Sequence, residues 1–152
     1  MINTTLCYIE DSGRYLMIHR VKKQNDLNHD KWIGVGGKFE AGESPYECAR
    51  REILEETGVE PSELKYRGIV TFVSNEYGTE YMHLFTASGY VGNINYNCDE
   101  GMLEWVDKSK IKDLPIWEGD LIFFNLLDTE ERFFSLKLEY EGDRLISYKT
   151  EI

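Results

Sequence analysis

GGKFEAGESPYECARREILEETGV, running from Gly36 to Val59, is the stretch that decides how the chain is read. Ser44 can cap a helix, Pro45 suits the first helical position, and Glu47 stands where a capping box needs an acid. Gly58 supplies the left-handed residue that ends helices, so the spacing predicts a helix over 45–57. On such a helix each residue advances by about 100°, which brings Glu52, Glu55 and Glu56 into one sector roughly 100° wide. Like charges at those spacings repel, and the helix C-terminus disfavours negative charge as well. Arg51 can pair with Glu55, while Arg50 projects elsewhere. The remaining acids call for a cation, and hard oxygen ligands suit Mg²⁺ or Mn²⁺. A Glu-Glu pair alone would read as a solvated helix face. The glycines before this helix, which let backbone approach a ligand closely, shift the balance toward a site.

Outward from this helix, β-rich runs alternate with turn signals. Thr4–Ile9 and Tyr15–Arg20 read as strands joined by a turn over Asp11–Arg14, and Lys22–Lys31 reads as a polar loop. Tyr66–Ser74 and Glu80–Thr86 read as strands about a turn at Glu76–Gly78, and Met102–Val106 as a further short strand. The apolar spacing of Leu121, Ile122, Phe124, Leu126 and Leu127 predicts a second amphipathic helix over Glu118–Leu127. Phe133–Tyr140 and Arg144–Lys149 read as a closing hairpin. Strands interleaved with two helices imply an α/β fold, a mixed sheet covered on its faces.

The bulk numbers narrow the function. With 152 residues, 41% hydrophobic, the chain fits one domain over residues 1–152. It shows neither a signal-peptide pattern nor an apolar run long enough to span a bilayer, so a soluble, cytoplasmic protein with no membrane partner is expected. Cys7, Cys48 and Cys98 are scattered and odd in number, which suits packing in a reducing compartment and not a disulfide framework or zinc site. A net charge of −11 argues against binding long nucleic acid. It leaves room for a small phosphorylated ligand, because bound divalent cations invert the local field. Most of the acids read as a solubilising surface.

Gly37, five residues, Glu43, seven residues, then Arg51-Glu52-Ile53-Leu54-Glu55-Glu56-Thr57-Gly58-Val59 resembles a complete Nudix box over residues 37–59, with no departure from that family's pattern. The resemblance implies an α/β/α sandwich with a mixed sheet and a loop-helix-loop site. It implies Glu52, Glu55 and Glu56 as metal ligands, joined by a backbone carbonyl at Gly36 or Gly37. Glu43 would orient a water or support Arg51, and Arg51 would position the glutamates. The metal would neutralise a polyphosphate, activate water and stabilise an in-line transition state without a covalent enzyme intermediate. The general base is Glu56 or Glu100, the latter matching a position where some relatives carry a further ligand or base; Asp99 and Glu100 also read as ordinary loop acids. Arg20 would hold a phosphate or sit at the surface.

Beyond the box, the runs Trp32–Lys38 and Glu104–Asp120 and the terminal hairpin are similar to MutT-like enzymes that act on oxidised purine nucleoside triphosphates such as 8-oxo-dGTP. By that likeness Trp117 stacks on a base, Asp120 bonds its edge, Phe72 lines the pocket, and Lys38 and Arg20 serve the substrate; core packing is the other reading of Trp117. Ile33 stands where the human member of that group has an amide, and Gly119 replaces one of two adjacent acids. Three functions follow: a triphosphate hydrolase releasing pyrophosphate, a hydrolase of another nucleoside diphosphate derivative such as a nucleotide sugar, or a non-hydrolytic nucleotide sensor. A monomer or homodimer acting on a small nucleotide is expected.

Overall fold

The computed structural model describes residues 1–22 and 27–152. Four short strands were not foreseen, but every predicted long element is present. The strands are β1 (Ile2–Asp11), β2 (Arg14–His19), β3 (Trp32–Ile33), β4 (Glu60–Pro61), β5 (Leu64–Ser74), β6 (Gly78–Ser88), β7 (Tyr90–Val91), β8 (Asn97–Cys98), β9 (Gly101–Asp107), β10 (Phe134–Glu141) and β11 (Arg144–Glu151). The helices are α1 (Pro45–Thr57) and α2 (Asp120–Thr129), with a 3-10 helix over Lys108–Asp113 that the sequence did not announce. Of the predicted loop Lys22–Lys31, residues 23–26 lie outside the described residues; residues 27–30 form turns.

The large sheet runs β11-β10-β5-β6-β1-β2-β9-β8, with β3 paired to β2. β1 with β6 and β5 with β10 pair in parallel, and the other pairings are antiparallel, so the sheet is mixed as expected. Period-two alternation explains its two-sided burial. From β1, Tyr8 packs with Phe123, Phe124 and Leu127 of α2, whereas Cys7 and Ile9 face the other way onto Ala49 and Ile53 of α1. The result is the α/β/α sandwich. Among the described residues no helix is long and apolar enough to cross a membrane, and all three cysteines are buried free thiols.

Helix α1 begins and ends where its sequence says. Ser44 accepts from the Glu47 amide at 3.1 Å and Glu47 returns the bond to the Ser44 amide at 2.9 Å, and Gly58 closes the helix at φ 81°. Helix α2 starts two residues later than predicted, at Asp120, with Gly119 as a cap that offers no side chain. The apolar spacing could not fix that boundary, because Trp117 belongs to the core without being helical.

The glycine-rich segment has a specific place. β1 and β2 pair only near their shared turn, at Glu10–Tyr15 and Asp11–Arg14. Residues 34–38 fill the opening between them, with Thr5 N–H donating to Gly37 O at 2.9 Å and Cys7 N–H to Val35 O at 2.6 Å. Backbone lies so close there that a Cβ on Gly36 would stand 1.9 Å from the Thr5 carbonyl oxygen.

Candidate functional site

The wedge of residues 34–38 meets the inner face of α1, and the acids of that helix divide into two environments. Glu56 is mostly buried, and its Oε1 accepts from the Gly36 amide at 2.8 Å. Among the described residues its Oε2 is buried without a hydrogen-bond donor, facing the Glu100 carboxyl. Burial, opposed in part by the Gly36 amide, raises its pKa to about 9, and repulsion from Glu100 and Glu52 adds to the rise. Glu52 lies against Gly37, so close that a Cβ there would stand 2.7 Å from the carboxylate. Glu55 turns outward, 57% exposed.

Arg51 organises this region. Its guanidinium donates to Glu43 at 2.6 and 2.9 Å, to Glu52 at 2.8 Å, to Glu55 at 3.3 Å and to the Lys38 carbonyl at 3.0 Å. Those bonds hold the Glu43 carboxyl down at about 2 and push Arg51 well above its usual range. The expected Arg51–Glu55 pair is therefore present, but the bidentate contact with Glu43 is shorter. Arg50 lies over the Tyr46 ring instead. Across the opening, Arg20 donates to Glu100 at 3.0 Å.

A divalent cation suits this arrangement on two counts. Among the described residues the buried Oε2 of Glu56 has no hydrogen-bond donor, and the raised Glu56 pKa reflects the cost of burying negative charge beside other acids. The Gly37 carbonyl accepts from Thr5 N–H at 2.9 Å and, at longer range, from the Thr5 hydroxyl at 3.5 Å and the Cys48 thiol at 3.6 Å. Among the described residues no three such side chains form a ready metal cage, since Arg51 draws Glu52 and Glu55 toward itself. Glu56, Glu52 and the Gly37 carbonyl meet here, with Glu55 turned outward, and these are the groups that would hold such an ion.

A cavity of about 560 Å³ opens beside these acids. Of the residues singled out from sequence, Arg20, Gly37, Lys38, Arg51, Glu52, Phe72, Glu100, Trp117 and Asp120 all line it; Glu43, Glu55 and Glu56 do not. Trp117 is packed in the core, as one of its two readings has it, and also lines the cavity. It is only 6% exposed, packed edge-on against Phe72 and Tyr140 at 5.3 and 5.1 Å, yet it forms part of the cavity wall. Its indole N–H donates to Asn28 at 2.7 Å, and Lys31, which does not line the cavity, sits 4.7 Å from the ring centre.

Asp120 is buried, and desolvation raises its pKa to about 8 despite the Lys31 charge. An acid whose folded pKa exceeds its unfolded value keeps a proton that the unfolded chain has already lost. Stability thus falls as pH climbs from about 4 to about 8 and levels off above. Asp120→Asn should flatten that slope by up to one proton, read as urea midpoints across this range in metal-free buffer. An unchanged slope would show that Asp120 is ordinary. Gly119 has a packing reason: a Cβ would stand 2.6 Å from Leu138 and 2.8 Å from the Tyr140 hydroxyl, which accepts the Gly119 amide. No acid fits there.

With this geometry in view, comparison with known proteins is informative. Residues 2–127 match the model of the NUDIX domain. The chain belongs to the Nudix family. It is 31% identical over 149 residues to an oxidized purine nucleoside triphosphate hydrolase of Danio rerio, covering 97% of this chain and 92% of that one. It is 30% identical over 120 residues to the uncharacterized Nudix hydrolase YvcI of Bacillus subtilis, covering 76% and 72%. Among solved structures, a MutT protein of Bacillus halodurans superposes with a TM-score of 0.86 at 29% identity, covering 99% and 98%. The protein is thus a MutT-like Nudix hydrolase.

Sequence reasoning missed several cavity residues of this Nudix enzyme, notably Tyr8, Asn28, Glu80 and Met82. For Tyr8 a signal existed, since Ile2, Thr4, Leu6 and Tyr8 alternate along β1 and all reach the cavity. The Tyr8 hydroxyl is buried, and burial, opposed in part by the Gly34 amide, pushes its pKa well above the usual phenol range.

Proposed function

We propose that this Nudix enzyme hydrolyses a nucleoside triphosphate to the monophosphate and pyrophosphate, acting on oxidised purine (deoxy)nucleotides such as 8-oxo-dGTP. The observation that carries the reading is a single cavity. Glu52, Arg51, Glu100 and Arg20 border it, and so do Trp117, Phe72 and Asp120. Phosphate chemistry and base recognition thus share one space of about 560 Å³, a size suited to a nucleotide.

Mg²⁺ or Mn²⁺, when bound by Glu52, Glu55, Glu56 and the Gly37 carbonyl, supplies positive charge against the polyphosphate. The protein's own groups do the rest. Arg20 and Lys38 hold phosphate oxygens, and Arg51 keeps Glu43 and Glu52 in position. Glu56, through its buried Oε2, or Glu100 takes the proton of the attacking water. Trp117 and Phe72 pack on the base, and Asp120, protonated below about pH 8, can donate to an acceptor on the base edge. Residues 1–152 act as one domain in the cytoplasm, where buried free thiols persist.

The test is a turnover assay with purified protein, Mg²⁺ and a panel of 8-oxo-dGTP, dGTP, 2-hydroxy-dATP and a nucleotide sugar. Pyrophosphate released fastest from 8-oxo-dGTP is the expected result. Tight binding without turnover would replace this reading with a nucleotide sensor, and turnover of the nucleotide sugar alone would move the substrate to another nucleoside diphosphate derivative.

A further inference from the structure

The floor of the cavity carries a carboxylate that no motif announces. Glu80 on β6 pairs with Phe72 on β5 and with Ile2 on β1. Paired positions share a face of the sheet, so Glu80 stands beside the aromatic wall, and Phe72 in turn packs edge-on against Trp117. Thr4 Oγ1 donates to Glu80 Oε2 at 2.8 Å. That bond fixes the carboxylate and leaves Oε1 as a further acceptor at the cavity lining, where Leu6, Met82 and Phe72 are apolar.

Asn28 and Asp120 also line the wall, and Asn28 Oδ1 accepts the Trp117 indole N–H. Ile33 lines the cavity without any hydrogen-bonding atom in its side chain, and the space beyond Gly119 is taken by Leu138 and Tyr140. Apart from Asp120, Glu80 is the acid placed among the base-sized apolar surfaces. A carboxylate only accepts, and it matches a ligand edge that carries adjacent N–H donors. A base with a lone pair at the same place faces like charge.

We propose that Glu80 is a specificity-determining residue, selecting nucleobases that present an N–H donor pair, as the N1–H and 2-amino group of a 2-amino-6-oxopurine do. The assignment rests on the nucleoside triphosphate reading above and deepens it by naming the residue that selects the base edge. Adenine, whose N1 is an acceptor, is disfavoured. Hypoxanthine keeps N1–H but lacks the 2-amino donor, and falls between.

Two measurements on the full chain separate the proposal from that reading: equilibrium binding and kcat/KM for dGTP, dITP, dATP and GTP, each on wild type and Glu80→Gln. The amide keeps the shape and the Thr4 contact, and a thermal melt checks that the variant folds. Wild type should rank dGTP, then dITP, then dATP. The substitution should lower dGTP binding and kcat/KM by about 10- to 100-fold, dITP less, and leave dATP unchanged or improved. Equal change across the three bases, or none, overturns the proposal. So does a loss confined to GTP when it is compared with dGTP, because that would assign Glu80 to the sugar. Base-dependent binding without turnover supports Glu80 and rejects the hydrolase reading alone.

Discussion

Glu56→Gln is expected to lower kcat by about 10³-fold or more while making the metal-free protein more stable at pH 8–9. The two effects have one cause. Glu56 sits buried between the Gly36 amide and Glu100, with one oxygen facing the Glu100 carboxyl. Its folded pKa of about 9 lies far above the ordinary 4.5. Between these values the folded protein holds a proton that the unfolded chain releases, so stability falls as pH rises through this window and is flat above it. Glutamine cannot titrate, retains an oxygen for the Gly36 amide, and gains an N–H that can donate to Glu100. The variant should therefore out-melt wild type in EDTA at pH 8–9, the gap closing below about pH 4. Adding Mg²⁺ should raise the melting point of wild type more than that of the variant, since a ligand stabilises the state that binds it. Turnover within tenfold of wild type would remove Glu56 from the metal and proton-handling set.

Gly36→Ala should destabilise the fold by roughly 2–5 kcal/mol, summing backbone strain and overpacking. Gly36 has φ 149°, which L side chains rarely adopt. Its added methyl would stand 1.9 Å from the Thr5 carbonyl oxygen and 3.2 Å from the Leu6 Cα. These are backbone atoms of a strand paired along its length with β6, so they cannot yield cheaply. Relief would require the wedge to lift from β1, which also pulls the Gly36 amide from Glu56. Urea denaturation reads the first effect and turnover in the surviving folded fraction reads the second. A midpoint shift worth under about 0.5 kcal/mol would mean that the segment is looser than its contacts imply.

Different parts of this protein were legible to different depths. Helix α1 was readable to the residue because its signals are local: Ser44, Glu47 and Gly58 bond within the helix they delimit. Long strands such as β1 and β11 were found but cut short by two to four residues, because exposed polar ends such as Asn3 and Glu151 carry no burial pattern, while β2 and β10 were displaced by one residue. The short strands β3, β4, β7 and β8 had no signal of their own, each being two residues defined by its partner. Helix α2 was placed two residues early, since its apolar pattern begins only at Leu121 and left Glu118 and Gly119 unassigned by any local signal.

By itself the sequence determined the acid-bearing helix, the glycine segment before it and the family these belong to, because spacing along a helix and close backbone approach depend on residues near one another in the chain. Only the tertiary structure decided which carboxylates are buried and which exposed. It turned Glu55 outward and Glu56 inward, matched Glu80 to Phe72 across a strand pair, and filled the space beside Gly119 with Leu138. Each of those outcomes is set by strand register and by packing between segments far apart in sequence. A single-residue slip in either would reverse the face a side chain occupies.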